Sequence, residues 1–292
     1  MIELRGIEKF FGKHQVLGGI DLTIKTGEIF GLVGINGAGK STLLRIMAGV
    51  FAADTGHVYF DGDDVFENEN VKKDIFFLPD DPYYSPFTSG NDLRELYKAF
   101  YNFDNERFNS CIKNYRLDLK KRISTFSKGM RRQLFISLAL ACRPRYLFLD
   151  EAFDGLDPKA RLQFKRAIID LQEECKTTVV ISSHSLRELE DFCNTFGIID
   201  NKRMNFGGRI DEEVEKIHKY QVVFREGFGE VVLKGLNVLT HSQTGRVVNF
   251  VASGEVEDVK AKVMKHDPIL FEEIPIDFEE LFILKTGDPR NE

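Results

Sequence analysis

The stretch GINGAGKST, residues 34–42, sets Gly34, Gly39, Lys40 and Ser41 in the spacing G-x-x-x-x-G-K-[ST]. Each residue type has a chemical reason. Glycines let successive backbone N–H groups point inward and cradle phosphate oxygens, here along Gly34, Asn36, Gly37, Ala38 and Gly39. A helix opening at the loop adds its positive N-terminal end. Lys40 is then expected on the β- and γ-phosphates, the Ser41 hydroxyl on Mg²⁺, and Thr42 on the α-phosphate. The bland alternative is a Gly-rich turn that happens to hold a lysine. Chance produces this pattern on the order of once per hundred chains of this length. A buried strand before the loop and a helix after it reduce that further.

The run YLFLDEAFDGLDP, residues 146–158, supplies a second set of groups. A buried strand ending in an acid puts Asp150 at the carboxyl edge of a sheet, where α/β proteins bind ligands. There Asp150 would hold Mg²⁺, directly or through water. Glu151 follows on the turn and suits the polarising of an attacking water. Alone, an Asp-Glu pair after a strand reads as a solvated turn or a helix cap. Beside a phosphate loop it reads as the other half of a nucleotide-hydrolysing site.

These groups need a scaffold. IEL, GGIDLTI and EIFGLVG in residues 2–34 read as strands, the middle one alternating and the last fully buried. A helix is expected from about Ser41 to Ala48, strands at 57–60 and 75–78, and mostly helix over 91–141. YLFLD (146–150) and TTVVIS (177–182) are continuous apolar runs of the kind found in buried parallel strands. Between them Pro158 to Glu174 has helical spacing, with proline in the first turn. Strand–helix–strand alternation around buried strands argues an α/β sheet covered on both faces. Near Gly207-Gly208 the pattern changes. Helices at 211–217, 255–265 and 277–284 and strands at 219–224, 231–233, 246–251 and 269–274 suggest a separate small α+β domain over 208–292.

Composition narrows the partners. The chain has 292 residues and a net charge of -6. Residues 209–292 hold 11 Lys+Arg against 17 Asp+Glu, so they carry the whole imbalance. No part of the sequence is built to neutralise a phosphate backbone, and no nucleic-acid partner is expected. Cys111, Cys142, Cys175 and Cys193 match no metal-site spacing and read as small apolar residues in a reducing compartment. No apolar run approaches the ~20 residues that span a bilayer. If the protein works at a membrane, another chain supplies the spans.

One element makes the reading specific. FSKGM, residues 126–130, ends 20 residues before Asp150 and resembles the signature of the ABC transporter ATPases, commonly LSGGQ. Ser127 and Gly129 match, while Phe126, Lys128 and Met130 depart. The form with Lys and Met occurs among exporter-type subunits. Locally the same residues read as a Ser N-cap followed by a first-turn glycine. The resemblance covers residues 2–207 closely and implies a P-loop NTPase core of ABC type, with a β-subdomain and a helical subdomain at about 82–143. It implies ATP and Mg²⁺ as ligands, with Ser127, Lys128 and Gly129 reaching the ATP of a second subunit in a head-to-tail sandwich. Phe11 matches the aromatic that stacks on adenine, with Phe10 as alternative and a core aromatic as the rival reading. GLDP (155–158) resembles the D-loop, with Asp157 its acid, and His184 matches the switch histidine that bonds the γ-phosphate. With Lys40 and Glu151, His184 would form the catalytic group.

One position departs from the family. Where it usually has LPQ at a strand end, this chain has LPD, so Asp80 stands where a glutamine would meet Mg²⁺ and the attacking water. Asp80 is expected to keep a metal-sensing role; Asp81 by register, or a turn cap before Pro82, are the alternatives. The resemblance further implies a separate transmembrane permease, a second ATPase subunit, identical or not, and a place on the cytoplasmic face of the cell membrane. IPIDFEELFI (274–283) loosely resembles the extension of exporter-type subunits. A soluble ABC ATPase and an importer subunit are the competing readings. The first meets only one cassette and no long coiled-coil insertion; the second usually carries a longer extension. Nine Phe or Tyr between 76 and 103 read mainly as core of the helical subdomain, with permease docking as the functional alternative. Lys120–Arg132 reads as a solvated basic face.

Overall fold

In a computed structural model the fully apolar runs lie side by side as a sheet, and the loops that leave it carry the motifs. The structure describes residues 1–190, 192–209, 217–225 and 233–276 with Glu280 and Leu284, and of Leu186, Arg187 and Phe206 the backbone. The chain divides into two compact units, Met1–Gly207 and Gly208–Glu292.

The first unit begins with a long antiparallel pair, β1 (Ile2–Phe11) and β2 (His14–Ile24). After β3 (Ile29–Val33) and helix α1 (Lys40–Met47), β4 (Thr55–Phe60) and β5 (Asp63–Asp64) complete a four-stranded sheet in the order β2-β1-β4-β5. The short helix α2 (Glu69–Lys72) leads to β6 (Ile75–Leu78). Three helices follow: α3 (Gly90–Phe100), α4 (Asn105–Tyr115) and α5 (Lys128–Cys142). Then come β7 (Tyr146–Leu149), α6 (Pro158–Cys175), β8 (Thr178–Ser183), α7 (Leu186–Glu190), β9 (Thr195–Asp200) and β10 (Arg203–Arg209).

The second sheet has the order β10-β9-β3-β8-β7-β6. Its strands β6, β7, β8, β3 and β9 pair in parallel. Every residue of β3, β7 and β8 is buried, which is why these segments are apolar throughout rather than alternating. Leu43 and Met47 of α1 share one buried cluster with Ile2, Ile7 and Ile20 of the antiparallel sheet and Phe148 and Val180 of the parallel one. α1 is thus fixed from both sides, and with it the loop at its N-terminus.

The aromatic-rich segment divides. Phe76 stacks on Tyr97 at 5.4 Å between ring centroids, and the Tyr101 hydroxyl donates to the Ile75 carbonyl at 2.9 Å. Tyr84 meets Phe135, and Phe103 meets Phe108. Tyr83, Phe87 and Phe100 stay largely exposed.

The second unit is a four-stranded sheet in the order β12-β13-β11-β14, with β11 (Ile217–Val223), β12 (Asn237–Thr244), β13 (Val247–Ser253) and β14 (Leu270–Ile274). All of its pairings are antiparallel. Helix α8 (Val256–Val263) contributes Val259 and Val263 to a core shared with Tyr220, Val222 and Phe250. β12 was not expected: NVLTHSQT is polar and almost wholly exposed, as an edge strand permits. The expected helices at 211–217 and 277–284, the strand at 231–233 and the IPIDFEELFI tail lie largely outside the described residues; Ile217 instead opens β11. Among the described residues no helix is long and apolar enough to cross a membrane.

Candidate nucleotide site

β3 delivers the chain to the loop, and Gly39 turns it into α1 with φ of 107°, a conformation that L side chains rarely adopt. A Cβ there would also lie 2.8 Å from Leu17 Cδ2. No side chain caps α1. Its first N–H groups have no intrahelical acceptor, so they face the loop as donors for an anion. Lys40 is buried, and its ammonium donates to the carbonyls of Gly34 at 2.7 Å and Ile35 at 3.3 Å. It also pairs with Glu151 Oε1 at 3.3 Å. Ser41 and Thr42 are half-buried on the same first turn.

The end of β7 provides the facing groups. Asp150 is 1% exposed, and its Oδ1 accepts from Ser41 Oγ at 2.9 Å and Ser182 Oγ at 2.8 Å. Its Oδ2 is buried without a hydrogen-bond partner. Ser182, on β8, also accepts from the Glu151 backbone N–H at 3.0 Å. Sequence reasoning missed Ser182, whose one signal is a hydroxyl inside an apolar strand. Glu151 has φ of 47°, the left-handed region, so its side chain departs from the direction of Asp150. Its Oε2 bonds His184 Nδ1 at 2.9 Å. Glu151, Asp154 and His184 bring ligand atoms within 4.8 Å of one another, and the Glu151–His184 bond accounts for much of that closeness. Through Ser182, the pair Ser41–Asp150 and the set Lys40–Glu151–His184 form one connected group.

The remaining motif residues stand apart from that network. Ser127 caps α5, its Oγ accepting from the Met130 N–H at 3.2 Å, and both Ser127 and Lys128 are exposed. Gly129 lies against the loop after β7: a Cβ on it would sit 2.8 Å from the Gly155 carbonyl oxygen. Lys128 covers Gly155 from the side. Asp157 caps α6 by accepting from the N–H groups of Lys159 and Ala160 at 3.0 Å each. Phe11 is 50% exposed and meets Phe51 edge-on at 6.0 Å, so it is no core aromatic; Phe10 is 38% exposed.

Asp80 has a partner that the sequence did not predict. Its carboxylate is held by Arg132 at 2.7 Å. The reason is electrostatic: the Arg132 side chain is 2% exposed, and a buried guanidinium requires an anion. Arg132, read from the sequence as part of a solvated face, is the second residue that was missed.

A model of the family described as ABC transporter matches residues 17–154. The chain is 32% identical over 291 residues to the ABC transporter ATP-binding protein YtrB of Bacillus subtilis, covering 99% of each. It is 32% identical over 211 residues to the linearmycin resistance ATP-binding protein LnrL of Bacillus subtilis, covering 70% of this chain and 68% of that one. With the methionine import ATP-binding protein MetN of Clostridium tetani the identity is 28% over 228 residues, covering 73% and 70%. Among solved structures, a dimeric bacterial ABC transporter cassette, MJ0796, superposes with a TM-score of 0.63 at 23% identity, covering 72% of this chain and 99% of that one. Fold, phosphate loop and full-length likeness agree: the chain belongs to the ATP-binding proteins of ABC transporters, ATPases of the P-loop class.

Proposed function

We propose that this chain powers a membrane exporter by closing an ATP sandwich with a second ATPase subunit. The observation that carries the reading is the division of the motif residues. The phosphate-loop group is bonded together and inward, while Ser127 and Lys128 are exposed at the start of α5 with no bond to that group. A second copy, or a related subunit, facing head to tail would bring its Ser127, Lys128 and Gly129 onto the ATP held by the first. The dimeric MJ0796 cassette supports that arrangement by analogy of fold.

The residues fit Mg²⁺. Asp150 Oδ2 is a buried oxygen without a partner, beside a serine hydroxyl already bonded to Oδ1. Oxygen donors of this kind suit a hard cation. Mg²⁺ held by Ser41 and Asp150 would neutralise charge on the β- and γ-phosphates. Phe11 stacks on the base, and Gly34 to Gly39 with Thr42 cradle the phosphates. The Lys40 ammonium donates to the Gly34 and Ile35 carbonyls and is ion-paired with the Glu151 carboxylate. An arriving γ-phosphate competes with Glu151 for that ammonium. The freed carboxylate orients and polarises the attacking water, with His184 bonding the γ-phosphate and Asp157 facing the partner subunit.

The resistance function in the name of LnrL, together with the Lys and Met of FSKGM, supports export. MetN, an import protein, keeps import as the second reading. In either case the partner is a separate membrane-spanning permease, and the subunit works on the cytoplasmic face of the cell membrane. Light scattering tests the sandwich. Glu151→Gln with ATP and Mg²⁺ should run as a dimer, and adding Ser127→Arg should return it to a monomer. A Glu151→Gln monomer, even with the permease present, would overturn the proposal. Inside-out vesicles test direction: ATP outside should drive cargo into the lumen for an exporter.

A further inference from the structure

β6 leaves the parallel sheet at Leu78, and the chain rejoins it only at Tyr146, the start of β7. One side chain closes the base of this excursion. Arg132, on the second turn of α5, donates from Nη1 to the Pro79 carbonyl at 3.2 Å. Its Nη2 donates to the Asp80 carbonyl at 2.8 Å and to Asp80 Oδ1 at 2.7 Å. The guanidinium is thus spread over two consecutive residues, as its planar fork allows and a lysine does not. Arg131, next to it, donates to the Phe126 carbonyl at 2.8 Å and fixes the chain just before Ser127.

The two ends of this clasp stand at different parts of the site. Asp80 lies two residues beyond β6, and β6 is tied to the catalytic strand through the Asp150 N–H, which donates to the Leu78 carbonyl at 2.8 Å. Arg132 lies five residues after Ser127 on the helix that Ser127 caps. We propose that Arg132 and Asp80 are positioning residues: their ion pair sets where Ser127 and Gly129 stand relative to Asp150 and Glu151 of the same subunit. This rests on the sandwich reading, in which one face of each subunit must present both sets in register. It also accounts for the charge at position 80. An aspartate there answers a buried cation, where the metal would ask only for an oxygen.

Removing the carboxylate leaves the guanidinium with carbonyl acceptors alone, so the charge-paired part of the clasp between the start of α5 and the end of β6 is lost while the buried face of α5 keeps the helix in place. The phosphate loop has no bond to Asp80 or Arg132, so nucleotide binding by a single subunit should not change. The test is made in the full chain carrying Glu151→Gln, with three readouts: affinity of the monomer for a fluorescent ATP analogue at low protein concentration, ATP-driven dimerisation by light scattering, and the Mg²⁺ dependence of dimerisation. Asp80→Ala should weaken dimerisation about tenfold or more, the loss typical of one charge-assisted hydrogen bond, with analogue affinity unchanged. Asp80→Asn, nearly isosteric, should fall between it and the parent, and it keeps the test valid if Asp80→Ala folds poorly. Arg132→Lys should behave like Asp80→Ala, and combining the two should cost no more than either alone. Unchanged dimerisation in both Asp80 variants overturns the inference and leaves the sandwich standing. A raised Mg²⁺ requirement with dimerisation otherwise intact also overturns it, by returning Asp80 to the metal. A parent that does not dimerise removes the sandwich and the inference together.

Discussion

The phosphate-loop group and the signature group are held in opposite ways. Lys40, Ser41, Asp150, Glu151 and His184 come from two strand ends and one helix, and each is bonded or ion-paired to another member of the group. Ser127 and Asp157 cap the first turns of their own helices, and Gly129 lies close against the backbone of Gly155. The first group is assembled within one chain, and of its buried side-chain oxygens Asp150 Oδ2 is the one left without a hydrogen-bond partner. The second satisfies its local caps, and Ser127 and Lys128 remain exposed; in the proposed sandwich their counterpart is the ATP of a second subunit.

The comparison breaks first at Glu151. Glu151→Gln should bind ATP as the parent does and hydrolyse it roughly 10²–10⁴-fold more slowly, as loss of a general base does. Single-turnover hydrolysis beside equilibrium binding reads both. Near-normal turnover would remove Glu151 from the chemistry and leave the group without the base assigned to the attacking water. Lys40→Ala should act on binding instead, weakening ATP affinity about 10–100-fold through loss of charge-assisted bonds to phosphate. Isothermal titration reads it, and an unchanged affinity would contradict the loop's assignment.

Ser182 sharpens the contrast. Ser182→Ala removes the hydroxyl shared by Asp150 and the Glu151 backbone. About 1–3 kcal/mol of stability should be lost, since both partners stay buried, and hydrolysis should slow with it. Denaturant unfolding and ATPase assays on one preparation would show the two falling together. The smallest effect belongs to the other group. Asp157→Ala should cost about 0.5–2 kcal/mol of stability as a lost N-cap while leaving the ATP affinity of the single subunit unchanged. If that affinity dropped, the two groups would not be separate within one chain.

How much of this was legible in the sequence follows the range of the interactions. The phosphate loop, the acid at the end of β7 and the Ser127 cap are set by neighbours within a few residues, so spacing alone revealed them. The buried strands were legible because burial on both faces leaves an uninterrupted apolar run. Ser182 and Arg132 were not: their partners lie 32 and 52 residues away, and only the folded sheet edge brings them close. Asp80 was read from the family position of the glutamine in LPQ, which says nothing of its partner here; the cation that holds it in the structure is Arg132, 52 residues on. β12 escaped because an exposed edge strand has no buried face to impress on its sequence.

The approach of Gly129 to the Gly155 carbonyl has a consequence for how this protein changes over generations. The contact consists of main-chain atoms, and a Cβ at 129 would stand 2.8 Å from that oxygen. Most packing faults can be repaired by a smaller neighbour across the gap. Here the neighbour is a carbonyl that no substitution makes smaller. A lineage that loses the glycine at 129 must therefore move main chain, since no side chain across the contact can be trimmed to restore the fit.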